Sequence, residues 1–469
     1  MPQIKDHYLA RAMKKILDPS RVIEDDLERT IYSCDSSFLS AQSRYLPDIV
    51  LLPRSTREVS EIMIFAFENS IPVTPRGAGS GETCGCVPAK GGIVMDLSTW
   101  NTVEEVDAQN MQAMVRPGVV HSRLNEHLGR FGLFFPPDPG STRMCTIGGM
   151  VANNSSGMRA VKYGTTEQYI LGLEVVLPSG EIIITGGKNC RSLKNVSGIN
   201  LTKLFVGSEG TLGVITQIRL RVWPRPRARG IAMASFDKLE QAPVAVLDVY
   251  KAGILPSGIE ILDQSAIRAI NLYRPEINLP SCEAILLFEV DGNPASVHWE
   301  GEQIAEIMRK QPARVEWSTD PQRMAALWQG RSVVAAAAAR LRPDGTRVFA
   351  GEDICIPLNK VAESLRIIKS LGEEYQIQVV AYGHIGDGNI HTALVINPDN
   401  PDEVDRLGKL VDKIHRLAID LGGTTTGEHG VGMVRSAYSL LEHGNTLEQM
   451  RIVKTALDPK GIMNPGKIY

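Results

Sequence analysis

Apolar residues recur at three- and four-residue spacing between Tyr8 and Thr30 (Leu9, Met13, Ile16), which predicts an opening helix. The pattern then changes. Ile49-Val-Leu-Leu52 reads as a buried strand, Ser55 or Thr56 with Glu58 opens a helix to about Asn69, and Ile71-Pro-Val-Thr74 leads into a glycine-rich loop. In the second half, strand-like runs (Ala284 to Val290, Gln376 to Tyr382) alternate with long helical patterns (Ala295 to Lys310, Arg323 to Leu341, Leu358 to Glu374, Val404 to Leu421). That alternation predicts an α+β or α/β domain. Between the halves, Trp223-Pro-Arg-Pro-Arg-Ala-Arg229 can continue neither a helix nor a central strand. The expected domains are therefore 1–225, 226–423 and a segment, 424–469, too short to fold alone, which packs back onto the earlier domains.

A chain of 469 residues has room for two to three domains and a sizeable core. Its 50 Lys+Arg against 53 Asp+Glu leave a formal charge of -3, which gives no electrostatic case for nucleic acid or an anionic membrane as partner. The longest apolar run, Val333 to Ala339, is bracketed by Arg331 and Arg340, and the first 18 residues lack an uncharged apolar core. The expectation is a chain without a membrane span, in the cytoplasm. The seven cysteines are scattered, with no CxxC pair, which argues against a disulfide framework and against an iron-sulfur cluster.

Glycine is abundant, at 43 residues, and much of it gathers in loops of the first half. Pro75-Arg76-Gly77-Ala78-Gly79-Ser80-Gly81-Glu82-Thr83-Cys84-Gly85-Cys86 follows a strand and invites a dinucleotide reading, since glycines let backbone amides approach a pyrophosphate. As a Rossmann fingerprint it fits badly: Glu82 stands where the third glycine belongs, and no helical pattern follows, although Asp96 mimics the acidic ribose ligand by spacing. Asp138-Pro139-Gly140-Ser141, then Thr146-Ile-Gly148-Gly149 through Asn153, Ser155 and Gly157, then Lys162-Tyr-Gly164, and Gly207-Ser-Glu-Gly-Thr-Leu-Gly213-Val-Ile215-Thr216 add further donor-rich passages. A diphosphate carrying two long arms needs such a set.

With these residues the chain resembles the FAD-binding domain of the vanillyl-alcohol oxidase and p-cresol methylhydroxylase (PCMH) superfamily. Within it, the resemblance is specifically to the branch of the glycolate oxidase FAD subunit, D-lactate dehydrogenase and D-2-hydroxyglutarate dehydrogenase. The resemblance runs from about Pro47 to Asn464-Pro-Gly-Lys467. It implies an α+β fold: a PCMH-type FAD-binding domain of two α+β subdomains, an α+β substrate or cap domain, and the short C-terminal segment completing the active site. It also implies that Arg76 to Ser80 wrap the FAD pyrophosphate, that Pro139 to Ser141 and Gly148 to Ser155, with Gly157, line the flavin and ribityl chain, that Gly213 and Ile215 meet the adenine side, and that Asn464 lies near the isoalloxazine. The first loop has no histidine, so non-covalent FAD is expected; Cys84 and Cys86, at its far end, depart from the family's small uncharged residues and leave a redox or packing role open.

Four of the nine histidines (His384, His391, His415, His429) fall within 46 residues. His384 and His391 flank Gly386-Asp387-Gly388-Asn389, a hairpin signal, so they stand close across its neck. They make half of a metal site, with Glu428, between glycines of Gly427-Glu-His-Gly430, as third ligand, or they only hydrogen-bond loop carbonyls. The resemblance implies the former: His384, His391 and Glu428 hold a divalent ion (Zn, Mn or Fe), and His429 is the catalytic base. It also implies that Arg331 clamps the substrate carboxylate, while Ala335, where the hydroxyglutarate branch has a threonine, argues mildly against a second substrate carboxylate. His415 reads as a solvated helix residue, and His121 and His127 as helix positions without a role.

The reading at this point is FAD-dependent oxidation of a small D-2-hydroxy acid, D-lactate or glycolate favoured, to the 2-oxo acid with hydride passing to flavin N5. The electrons then go to an external acceptor, such as an electron-transfer flavoprotein or an iron-sulfur subunit, within a homodimer or a hetero-complex. D-2-hydroxyglutarate as substrate, a non-catalytic flavin electron-relay subunit, and a nicotinamide-dependent Rossmann dehydrogenase are the competing readings.

Overall fold

In the computed structural model, which describes residues 6–350 and 353–469, the first apolar stretch forms helix α1 (Asp6–Met13) and then breaks, contrary to the long helix its spacing predicts. Pro19 is the reason. A residue before proline is pushed out of the helical region, Asp18 instead caps a short 3-10 turn, and strand β1 (Val22–Ile23) pairs with β2 (Ile49–Leu51). Helix α2 (Thr56–Asn69) starts where Ser55 accepts the Glu58 N–H and stops at Ser70 in the left-handed region. Its Val59, Ile62, Met63 and Ala66 recur at helical spacing and are buried against β2, β3 (Val73–Arg76) and β4 (Ile93–Asp96). Both β2 and β3 run parallel to β4, whose four residues are all buried, as a strand covered on both faces requires.

A second sheet follows in the chain. The strands are β5 (Val103–Asp107), β6 (Gln112–Val115), the short β7 (Leu133–Phe134), β8 (Ile170–Val176), β9 (Ile182–Ile184), β10 (Val214–Arg221) and β11 (Trp223–Pro224). Five form an antiparallel sheet ordered β5-β6-β10-β8-β9, while β7 pairs with β11. Helices α3 (His121–Gly129) and α4 (Ile147–Asn153) contribute Leu124, Leu128, Ile147, Met150 and Val151 to its core. Both sheets belong to one compact unit, made of the residues up to Ser155, Thr165–Arg225 and His429–Tyr469.

The other unit consists of Ser156–Gly164 and Pro226–Glu428. Its sheet is antiparallel throughout and takes the order β15-β12-β14-β13-β18-β19-β16, with β17 also on β19: β12 (Ala228–Phe236), β13 (Gly258–Asp263), β14 (Ala284–Gly292), β15 (Ala313–Ser318), β16 (Thr346–Val348), β17 (Asp353–Cys355), β18 (Gln378–Gly383) and β19 (Asn389–Ile396). Helices α5 (Gln264–Tyr273) and α6 (Pro321–Ala337) bury Ile267, Ile270, Leu327 and Val334 against it. On α7 (Pro401–Asp420) His415 is buried rather than solvated: it stands three residues before Ala418, which sets it on the face that Leu407, Leu410 and Ile414 turn inward.

Two partitions differ from the expected one. Ser156–Gly164 leaves the first unit for the second, and residues 424–428 stay with the second, so the chain returns to the first unit at His429 and not at 424.

Candidate active site

Strands β18 and β19 pair with Tyr382 opposite His391, and the chain turns back between them through His384 to Gly388. The His384 carbonyl accepts the N–H groups of Asp387 and Asn389, which fixes the turn. Glu428 is supplied by the loop after α7. The wholly buried Asp353 holds that loop: one carboxylate oxygen accepts the Thr426 hydroxyl at 2.9 Å and the Gly427 and Glu428 N–H groups at 3.0 Å each. Gly427 has to be glycine, because a Cβ there would lie 2.0 Å from the Asn389 amide.

Three donor atoms meet as a result. Glu428 Oε1 is 3.3 Å from His384 Nε2 and 3.3 Å from His391 Nε2, and the two imidazole nitrogens are 3.4 Å apart. A tetrahedral ion bonded at about 2.0–2.1 Å sets its ligand atoms about 3.3 Å apart, so the triangle matches the face such an ion would occupy. The outer partners orient the rings for it. His384 Nδ1 faces Glu260 Oε1 at 2.6 Å, and His391 Nδ1 lies 3.7 Å from Asp353, which directs both Nε2 atoms to the common centre. Glu428 Oε2 receives the Ser156 hydroxyl at 3.3 Å.

The charges are complementary. Burial resists charging His384, but the Glu260 and Glu428 carboxylates outweigh it and hold the imidazole protonated well above its ordinary range. Burial likewise pushes the Glu428 carboxyl up, yet His384 and His391 keep it well below the usual carboxylate range. Cationic charge at this centre is therefore strongly favoured, as a proton or as a metal ion.

Arg331, on α6, donates through Nε to Glu260 and lies 4.8 Å over the Tyr382 ring. Its guanidinium thus braces the carboxylate that orients His384. Glu260 and Asp353 are the site residues that sequence reasoning missed. Each had one faint signal, a carboxylate set inside an otherwise apolar strand pattern, Gly258-Ile-Glu-Ile-Leu and Asp353-Ile-Cys-Ile.

In the first unit, several of the glycine-rich passages come together. Arg76, ending β3, donates to the Cys34 carbonyl at 3.0 Å and covers the Tyr32 ring. Gly77 abuts Thr146, which caps α4, so closely that a Cβ would sit 2.4 Å from its hydroxyl. The Glu209 N–H reaches the Ala152 carbonyl at 2.8 Å, and the Asn464 amide donates to the carbonyls of Gly85 and Glu209, both at 2.7 Å. Pro139, Gly140 and Ser141 lie on a loop suspended from His121: its N–H bonds the Cys145 carbonyl, its Nδ1 stands 2.5 Å from the Thr142 hydroxyl, and nothing lies within 4 Å of where a Gly140 Cβ would be.

Gly213 packs against β8, where a Cβ would meet Val175 at 2.7 Å, and Ile215 is buried in the same sheet. Gly157 is buried, and with Ser156 it begins the segment that belongs to the second unit. Cys84 is buried, 2.9 Å from the Ser37 hydroxyl, and burial pushes its thiol up to about 12; Cys86, beside Arg76, is also raised by burial. Neither is an activated thiolate.

His429 opens the C-terminal part of this unit. Its Nδ1 lies 3.4 Å from Glu82 Oε2, and the next residues are gripped firmly: Arg435 donates to the Gly430 carbonyl at 2.7 Å, and the Glu209 carboxylate accepts the Val431 and Gly432 N–H groups at 2.7 and 2.8 Å.

Residues 47–186 match the family described as FAD binding domain, and residues 225–468 match the family described as FAD linked oxidases, C-terminal domain. The chain belongs to the FAD-linked oxidases. Among relatives of this FAD-linked oxidase, glycolate oxidase subunit GlcD of Bacillus subtilis (strain 168) is 37% identical over 460 residues, covering 97% of this chain and 95% of its own. D-lactate dehydrogenase of Archaeoglobus fulgidus is 37% identical over 425 residues, covering 90% of this chain and 91% of its own. A probable mitochondrial D-lactate dehydrogenase of Danio rerio is 36% identical, covering 90% of this chain and 84% of its own. In fold, the FAD-linked oxidase is similar to p-cresol methylhydroxylase with substrate bound, at TM-score 0.81 and 14% identity over 100% of this chain and 97% of the other. The PCMH-type α+β fold is thereby established. The residues present fit FAD on their own account: tightly backed glycines edge the loops at 77 and 149, and the buried Asn464 Oδ1 has no hydrogen-bond partner among the described residues. No helix among the described residues is long and apolar enough to cross a membrane.

Proposed function

We propose that this FAD-linked oxidase oxidises a small D-2-hydroxy acid, D-lactate or glycolate by preference, to the 2-oxo acid. The single observation that carries the reading is the triangle of His384 Nε2, His391 Nε2 and Glu428 Oε1 at 3.3–3.4 Å in a chain whose relatives are named glycolate oxidase subunit and D-lactate dehydrogenase. A hydroxyl next to a carboxylate needs three things: a centre that lowers the hydroxyl pKa, a base for its proton, and a fixed cation for the carboxylate.

In this reading His384, His391 and Glu428 hold a divalent ion (Zn, Mn or Fe), and Glu260 and Asp353 keep the two imidazoles aimed. A bound ion would supply Lewis acidity to the substrate hydroxyl, and FAD, which the glycine-rich loops would hold non-covalently, would supply the two-electron acceptor for the hydride of C2. His429, which follows Glu428 directly in the chain, takes the hydroxyl proton. Arg331, braced by Glu260, turns its outer guanidinium nitrogens to the carboxylate. Arg76 to Ser80, Pro139 to Ser141, Gly148 to Ser155 and Asn464 serve the cofactor. The electrons leave to a protein acceptor, an electron-transfer flavoprotein or an iron-sulfur subunit; two relatives being named subunits supports a partner.

The test is to purify the chain, record its flavin absorbance, and add D-lactate, L-lactate, glycolate and D-2-hydroxyglutarate in turn without oxygen. Bleaching by D-lactate or glycolate is expected. Bleaching by D-2-hydroxyglutarate alone would move the substrate to the dicarboxylic acids, and bound flavin that none of them bleaches would leave an electron relay. Metal analysis that finds no ion, together with bleaching unaffected by a chelator, would end the metal assignment.

A further inference from the structure

We propose that Glu209 is the positioning residue for His429, fixing by its carboxylate the backbone that carries the base. The inference rests on the role given to His429 above.

The argument begins with a conformation. Glu209 has φ +50°, between two glycines, Gly207 and Gly210, whose φ values are also positive. An L residue is strained there and glycine is not, so the loop keeps a side chain at 209 against its local preference. The side chain is also about nine-tenths buried, and burial pushes its carboxyl up from the ordinary range. A buried carboxylate is costly unless its lone pairs are engaged. Arg435 and Lys467 are the cations that act on it, and its two oxygens each accept one backbone N–H, Val431 at 2.7 Å and Gly432 at 2.8 Å.

Those two donors lie directly after the base. The peptide group joining Gly430 to Val431 is held on both sides, its carbonyl by Arg435 and its N–H by Glu209, and it is one residue from His429. Gly430, at φ +84°, is fitted to the same contact: a Cβ would lie 2.9 Å from Glu209 Oε1 and 2.4 Å from the Asn153 amide oxygen. The main chain of residue 209 is equally committed, its N–H to Ala152 and its carbonyl to the Asn464 amide. One residue therefore sets the register between Asn464, the α4 end and the His429 loop. Neutral Gln at 209 would keep one acceptor and turn an N–H2 toward the second N–H, releasing half of the grip. A displacement of about 1 Å in a base lowers a rate by up to about 100-fold without weakening substrate binding.

The experiment uses the FAD-loaded chain and D-lactate or glycolate, whichever bleaches the wild type, in a cycle of Glu209→Gln, His429→Ala and the double variant. The expected result is a 10- to 100-fold fall in the saturating bleaching rate for Glu209→Gln, a half-saturating concentration within twofold of wild type, and unchanged flavin content. In the His429→Ala background Glu209→Gln should lower the rate no further, whereas a merely structural role would lower it again. Glu209→Asp, which keeps both acceptors, should recover part of the rate. If Glu209→Gln loses its flavin, Gly430→Ala, which disturbs the same peptide and leaves residue 209 intact, is read in its place. A wild-type rate in the decisive variant, or additive losses in the double variant, overturns the inference while a slow His429→Ala leaves the base assignment standing. If His429→Ala bleaches at the wild-type rate, the base assignment itself fails.

Discussion

Glu260 shows how much a single side chain can carry. It is fully buried, accepts from Arg331 Nε, and faces His384 Nδ1 at 2.6 Å. Under the proposed metal assignment, its replacement by Gln should weaken metal retention about 10- to 100-fold, measured by competition with a calibrated chelator, because the imidazole assigned as ligand loses the partner that fixes its tautomer. The pH dependence has a definite sign. By the same assignment an ion would have to displace the proton that His384 holds well above its ordinary range, so affinity should fall as the pH is lowered from 8 to 6, and Glu260→Gln should flatten that slope. The inner residues were legible before any coordinates: clustered histidines, a hairpin signal between two of them, and a glutamate between glycines. The outer carboxylates were not, because alternation along a strand reports burial of apolar residues and says nothing about which buried acid meets which base across the sheet.

At the scale of the element, the loop bearing Pro139 to Ser141 hangs from the first residue of α3. His121 is buried between Thr142 and Asn125, and burial pulls its pKa from 6.5 down to about 4. The unfolded chain takes up its proton near 6.5 and the folded chain only near 4, so stability present above 6.5 is lost as the pH falls through that window, by about 3 kcal/mol in total. Urea unfolding at pH 7 and pH 4.5 should show that loss in the wild type and a smaller one in His121→Gln. Sequence reasoning passed over His121 as one helix position among others, because its role depends on Thr142, Cys145 and Asn125 gathering round it. The error at Tyr8 to Thr30 has a different cause: apolar spacing alone extended a helix through Asp18-Pro19, where local backbone sterics override it. The helix from Thr56 to Asn69 was readable to within a residue or so at each end because cap, periodicity and terminus all agree.

For the whole molecule, the proline-rich stretch near 225 was visible in the sequence, but the excursion of Ser156–Gly164 into the second unit was not, since nothing in its composition marks it. The attachment is electrostatic and buried. Arg159 grips Glu289 through two nitrogens at 2.6 and 3.0 Å, and Lys162 and Tyr163 both reach Asp291 at 2.7 Å. Glu289 and Asp291 are almost fully buried on β14. A fragment of residues 226–428 leaves those two carboxylates without these partners, a situation that costs several kcal/mol. It should therefore lack a cooperative thermal transition by circular dichroism, and Glu289→Gln with Asp291→Asn should partly restore one.

The chain passes from one unit to the other after Ser155, Gly164, Arg225 and Glu428. Interleaving of this kind constrains descent as well as folding. A crossover between two such genes at the joint near 225 would deliver a β14 acid pair from one parent and its basic counterpart from the other, and would divide His429 from Glu209 in the same stroke. Chimaeras should therefore survive when the exchanged blocks follow the fold's own discontinuous inheritance, and fail when they follow the linear halves.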